Sequence, residues 1–401
     1  MRVSNDTLRS AFLAALEAAQ RRVIDTQEKV SSGKRVNKPS DDPVAAARIA
    51  HLDASLSRLD QYKSNSGFAR NQLGLEESAL NSAMDNLQRV RELALQGNNS
   101  TTSDSDRKDI AAEIRQARDA LLALANTTDV DGRHLFGGYV EGAVPFTTTA
   151  SGSVVYNGDQ GQRSLQISDT RFVAINDSGS DVFQKIPQGN STFTLAANPA
   201  NTGSGLLGAG TVVNSAAWVR DTYHINFLTP TTYEVRDSVN ALVSSGSFTG
   251  GQSGQSITFR GIDVHIDGDP ASGDSFTVAP AGNRDVFSML DNLIASLEAP
   301  ADNGAKRALL NSSVGQRLSD LDNTLSHISD VRGEIGARVR AIDQQDSLSA
   351  DFALHLNTTL SSVRDLDYAD ALSRLQQEML GLDAAQQTFA RTQGLSLFKY
   401  L

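Results

Sequence analysis

Apolar residues recur at alternating spacings of three and four along both ends of this chain. Toward the C-terminus, within 366–401, Leu372, Leu375, Met379, Leu382, Gln386 and Phe389 form one such row. Toward the N-terminus, within 4–32, Leu13, Leu16, Gln20, Val23, Gln27 and Val30 repeat it. This rhythm is the seam of a helix that packs on another helix. A lone amphipathic helix cannot bury its stripe unaided. The two chain ends are therefore expected to meet as a terminal coiled coil, built from 1–42 and 364–401. Glutamines within the seams weaken each contact and fix register.

The connector 34–43 is rich in turn formers, and Gly33 is a helix stop. Asp42 followed by Pro43 joins a capping side chain to proline at a first helical position. From there to Gln96 no proline interrupts, and Leu52, Leu59, Ser66, Leu73, Leu80, Leu87 and Ala94 fall at successive sevens. The spacing predicts one helix about 80 Å long. A break at 97–106 follows, with Ser103 or Asp104 placed to cap a third helix striped by Ile110, Ile114, Ala117, Leu121 and Leu124. A helix from about 285 carries Val286, Met289, Leu293 and Leu297 and ends at Pro300. From about Asp302 a second long helix keeps the three–four alternation from Leu318 to Val363. The register slips at 364–367, which separates it from the terminal seam. Residues 43–142 and 272–363 are thus expected to form a helical rod domain whose heptad seams are its own core.

Between these rods the pattern switches to period two. Residues 143–283 hold 17 of the 31 glycines and 6 of the 9 prolines, so helix gives way to short strands and turns there. SVVYNG, TRFVAIN, TYHINFL, SITFRG and DSFTVAP alternate as strands do. Residues 143–271 are expected to be a β-rich outer insertion, an antiparallel sandwich or barrel-like module or two, with 196–216 loosely ordered. The fold class is mainly α, with long coiled-coil and bundle rods from both chain ends and a central β-rich insertion.

Composition narrows the function. A net charge of −11 argues against nucleic acid and anionic membrane as partners. Cysteine is absent, which excludes disulfides and thiolate chemistry. No window is apolar enough to span a bilayer, and the start MRVSNDTLRS lacks the layout of a secretory signal. Gly203, Gly205 and Gly208 match a nucleotide-loop spacing, but no helix follows, and a flexible loop is the better reading. His51, His134, His224, His265, His327 and His355 are scattered. The acids of DVHIDGD (263–269) lack calcium-loop spacing and read as a solvated hairpin. No catalytic, cofactor or metal constellation is expected.

Two stretches carry a resemblance. VSSGKRVNKPSDDPVAAARIA (30–50) and NLQRVRELALQGNNSTTSDSDRKDIAAEI (86–114) resemble the N-terminal signature of the flagellin superfamily. HLFGGY (134–139), SGDSFTVAP (272–280) and QTFARTQGLSLFKYL (387–401) are similar to its members at the junction of hook and filament. The resemblance implies a flagellin-like fold and a non-enzymatic structural role, adapting hook to filament. It implies export through the flagellar type III channel without a cleavable signal, an export chaperone before secretion, and an extracellular place on the flagellum. Neighbouring copies, hook-associated protein 1 on the hook side and flagellin on the filament side are the implied partners. The implied assembly interface is Leu8, Phe12, Leu13, Leu16, Val23 and Val30 with Leu372, Leu375, Met379, Leu382, Phe389, Leu395 and Phe398. Two other readings stay open: a minor flagellin, and a ligand- or carbohydrate-binding module in the insertion, where Trp218, Tyr223 and Tyr233 would be exposed. The competing reading of those aromatics is module core.

Overall fold

A computed structural model describes residues 5–394 and divides the chain into two compact units, residues 5–64 with 344–394, and residues 65–343. Three helices lead: α1 (Asn5–Ser32), α2 (Pro43–Gly97) and α3 (Asp104–Ala125). Their punctuation follows local chemistry. Gly33 ends α1 with φ +69°, the left-handed conformation that glycine enters without penalty. Asp42 Oδ1 accepts from the Ala45 N–H at 2.9 Å, and Pro43 opens α2. Ser103 caps α3 in a reciprocal box with Asp106.

Strands then follow in order: β1 (Phe146–Thr148), β2 (Val154–Tyr156), β3 (Ser164–Gln166) and β4 (Phe172–Ala174). A five-residue helix, α4 (Gly179–Phe183), precedes β5 (Ile186–Pro187), β6 (Phe193–Ala197) and β7 (Leu206–Val212). Next come β8 (Tyr223–Thr229), β9 (Thr232–Arg236), β10 (Leu242–Ser247) and β11 (Gly251–Phe259). The set closes with β12 (Ile262–Gly268), β13 (Ser275–Pro280) and β14 (Asn283–Arg284). The chain returns to helix in α5 (Val286–Glu298), α6 (Gly304–Arg364) and α7 (Tyr368–Gly394).

In the unit 65–343, α2 and α6 run antiparallel. Arg70 meets Asp343 at 2.8 Å and Arg91 meets Asp322 at 2.6 Å, pairs equally spaced on the two helices. These exposed bridges report register more than stability. Of the sevens read from sequence, those from Leu73 onward form the core. Leu73, Leu80, Leu87 and Ala94 from α2 lie with Leu321, Ile328, Ile335 and Ile342 from α6. A methyl of Leu297 in α5 lies 2.6 Å from where a Cβ on Gly97 would stand, so a side chain at that end of α2 would require Leu297 to shift.

Strand pairing is antiparallel throughout. The main sheet has order β10-β9-β8-β13-β6, and a second has order β11-β12-β7. A separate aromatic core lies among their strands, with Phe193, Tyr223, Phe227, Phe259 and Phe276 in it. The first hairpins belong elsewhere. Phe146, Ile167, Val173 and Phe183 join the core of α2 and α6, because short hairpins have too few apolar residues for a core of their own. Strands also run on past 271, since β13 lies between β8 and β6.

Three expectations are corrected. Residues 196–216 are not loosely ordered throughout, because 206–212 form β7 on β12. The glycine loop before it is clamped: the buried Asp274 carboxylate accepts from the Thr202, Gly203 and Ala271 N–H groups at 2.8 to 3.0 Å. Residues 263–269 are not a solvated hairpin but mostly the middle strand β12, whose Val264 and Ile266 are fully buried.

Candidate functional site in the terminal helices

α1 and α7 pack as an antiparallel pair. Thr26 Oγ1 donates to Glu378 Oε2 at 2.7 Å, while the backward end of α7 meets the forward end of α1 near Gly33 and Tyr368. On α1 the row turned toward α7 is Phe12, Leu16, Ala19, Val23, Thr26 and Val30 in three–four steps, all buried or half-buried, with Ala18 and Lys29 half-buried beside it. On α7 the buried and half-buried positions are Ala371, Leu375, Glu378, Leu382, Ala385 and Phe389.

This seam shares only every second member with the row read from sequence. Leu16, Val23, Val30, Leu375, Leu382 and Phe389 are in it, and so is Phe12. Leu13, Leu372 and Met379 are exposed, as are Gln20, Gln27 and Gln386. The side chain of Leu8, and Leu395 and Phe398 entirely, lie outside the described residues. Sequence reasoning missed Ala19, Thr26, Ala371 and Ala385 because small residues carry no hydrophobic signal. It also missed Ile24 and Leu380, whose apolar side chains are 61% and 72% exposed.

Each terminal helix therefore has two adjoining rows, one facing its mate and one facing outward. The outward row carries Leu13, Gln20, Ile24 and Gln27 on α1, and Leu372, Met379 and Gln386 on α7. Leu372 is 46% and Met379 55% exposed. The outward row therefore mixes exposed apolar side chains with glutamines. Among the described residues, both apolar core clusters fall within 65–343, so the unit holding α1 and α7 has no comparable core.

The connectors at the base of the pair are stitched together. Arg35 N–H donates to the Arg364 carbonyl at 2.7 Å and Leu366 N–H to the Gly33 carbonyl at 2.9 Å. Arg35 Nη2 reaches the Val363 carbonyl at 2.7 Å. The Asp41 carboxylate accepts from the Lys38 and Asn37 N–H groups, which holds it below the usual carboxylate range. Hydrogen bonds from Ser361 and Arg364 do the same for Asp365.

Among the described residues no three histidine or acidic side chains are placed to hold a metal. No described helix is long and apolar enough to cross a membrane. Tyr223 and Tyr233 are buried in the outer core with Trp218 packed against it, as the core reading of these aromatics requires.

Residues 3–141 match the family model described as bacterial flagellin N-terminal helical region. The chain is 26% identical over 400 residues to flagellar hook-associated protein 3 of Salmonella typhimurium, covering 100% of this chain and 99% of that one. It is 38% identical to Xanthomonas campestris FlgL in a crystal structure, with TM-score 0.72, covering 77% of this chain and 99% of that one. The flagellar junction protein FlgL of Legionella pneumophila is 30% identical, with TM-score 0.73, covering 79% of this chain and 100% of that one. Full-length alignment and shared architecture agree: the chain belongs to the FlgL family of flagellar hook-associated protein 3, the hook–filament junction branch of the flagellin superfamily.

Proposed function

We propose that this chain is a structural subunit of the bacterial flagellum that adapts hook to filament and assembles through its terminal helices. The observation that carries this is the second, outward row on α1 and α7, in a unit that contains neither core cluster. Helices that satisfy one row on each other and leave the next exposed are completed by neighbours, with burial coupled to assembly. In this reading Leu13, Leu372 and Met379 make intermolecular contacts, together with Leu8, Leu395 and Phe398. The rest of the expected interface, Phe12, Leu16, Val23, Val30, Leu375, Leu382 and Phe389, lines the seam between α1 and α7 and holds together the pair that neighbours meet.

The proposed organisation is threefold: a terminal coiled coil of 1–42 and 364–401, a helical rod of 43–142 and 272–363, and an outer insertion of 143–271, whose main sheet is continued by strand β13 to Pro280. The partners are further copies, hook-associated protein 1 on the hook side and flagellin on the filament side, with an export chaperone beforehand. Export by the flagellar type III route, an extracellular location and the lack of catalysis belong to the same reading. Deleting the gene is expected to leave hooks that shed unpolymerised flagellin. Wild-type protein should restore filaments and a Leu372→Glu, Met379→Glu double variant should not. Filaments that persist after deletion would instead identify a minor flagellin.

A further inference from the structure

In this chain of net charge −11, two guanidinium groups line a single cleft together, those of Arg284 and Arg317. The cleft has a volume of about 470 Å³ and lies within 65–343, between β6 and β7 on one side and the α6 turn at 315–320 on the other. Phe193, Thr194, Leu195 and Ala196 all line it. Side chains of a strand alternate between faces, so a cleft touched by four residues in succession runs along the strand's edge. β6 is the outermost strand of its sheet; Asn190 bonds the N–H and the carbonyl of Phe193, and beyond that residue no strand among the described residues pairs with its outer edge.

The charges in the cleft do not balance. Arg317 is 16% exposed in its side chain, and its Nη1 approaches Asp320 Oδ2 at 2.9 Å as an ion pair. That Nη1 is buried and makes no hydrogen bond. The same Asp320 is already engaged, accepting from the Gly189 N–H at 3.1 Å. Arg284, also in the cleft, directs both Nε and Nη2 at the side-chain oxygen of Gln188, the latter at 3.1 Å, and this neutral acceptor leaves its charge without a carboxylate among the described residues. Burial lowers the Arg317 pKa and the nearby Arg284 pushes the same way, while Asp320 opposes them. Two guanidinium forks and one committed carboxylate in a concave wall leave a place for one more carboxylate.

We propose that this cleft binds an extended acidic peptide, whose backbone adds beside β6 while one of its carboxylates is held by Arg317 and Arg284. The partner is thus a segment of strand-forming, Glu- or Asp-bearing chain rather than a free small anion.

Fluorescence anisotropy with the full-length protein tests this, using labelled acetyl-Thr-Glu-Val-Glu-Thr-amide as the probe. Saturable binding is expected, weakened at least about tenfold when both Glu residues of the probe become Gln, since a charge-assisted pair is lost. Arg284→Gln should weaken it similarly, and this half-exposed side chain is no part of the aromatic core. Arg317→Gln is the stronger variant; the probe swap and Arg284→Gln decide the matter without it. Glutarate and inorganic phosphate should displace the probe only at concentrations at least about tenfold above the unlabelled peptide, because they lack a backbone to pair with β6. Absence of saturable binding, equal affinity for the Gln probe, or equal displacement by glutarate or phosphate would each overturn the proposal.

Discussion

Thr26 and Glu378 meet across the terminal helices, with the Thr26 hydroxyl donating to the Glu378 carboxylate at 2.7 Å. Both lie in the packed row, and they are 352 residues apart in sequence. A polar pair in an otherwise thin apolar seam fixes which turns of the two helices face each other. Thr26→Val keeps the shape and strands the half-buried carboxylate without its donor. A loss of about 1–2 kcal/mol in the pairing of α1 and α7 is expected. Hydrogen exchange along α1 measures it, and unchanged protection would remove the register role.

The two rows of α7 should separate stability from assembly. Leu375→Glu places a charge in the intramolecular seam and should cost about 2 kcal/mol or more of helix pairing. Leu372→Glu and Met379→Glu lie in the outward row and should stay within about 0.5 kcal/mol of wild type. Circular dichroism melts give the first comparison. Filament recovery in a deletion strain gives the second, where only the outward variants are expected to fold normally and fail.

Gly33 ties the connectors. Gly33→Ala must hold φ near +69° and would put its Cβ 2.7 Å from the Tyr368 hydroxyl. The left-handed conformation alone costs about 1–2 kcal/mol in a residue with a side chain. Exchange of the Arg35 and Leu366 amides, bonded to Arg364 and Gly33 carbonyls, should accelerate. Adding Tyr368→Phe should recover the steric part but not the backbone part. Full recovery would show that strain is absent.

Glu76 makes stability depend on pH in an uncommon direction. Its carboxyl is 1% exposed, with Oε1 accepting from the Asp177 N–H at 3.1 Å and Oε2 without a partner. Burial, then the nearby Asp177 charge, holds its pKa well above the ordinary 4.5. The native state therefore keeps a proton that the unfolded chain releases. This contribution is intact below about pH 4.5 and is lost as pH rises toward the native pKa. Glu76→Gln cannot ionise and keeps an acceptor for the Asp177 N–H. Its melting temperature should fall less than wild type between about pH 5 and 8, and a gap that narrows with pH would refute the assignment.

The sequence alone was enough for the helices. Heptad spacing in α2 and α6 reports burial directly from Leu73 to Ala94 and from Leu321 to Ile342, because every seventh residue there returns to the face that meets the same core. Asp42 and the pair Ser103 and Asp104 marked helix starts, since capping is a local bond between a side chain and the next turn's N–H, and the structure gives the cap of α3 to Ser103. Gly33 and the break at 364–367 were legible for the same reason. Tertiary structure decided the rest. Whether Leu13 or Phe12 faces α7 is a rotation of one residue about the helix axis, and a row of small residues such as Ala19 and Ala371 leaves no apolar signal to fix it. The hairpins of 146–187 joined the core of α2 and α6, and β13 closed the outer sheet, because sheets are completed by residues far apart in sequence. The cleft beside β6 likewise exists only where α6 passes the strand edge, with Arg284 and Arg317 brought together from two different elements.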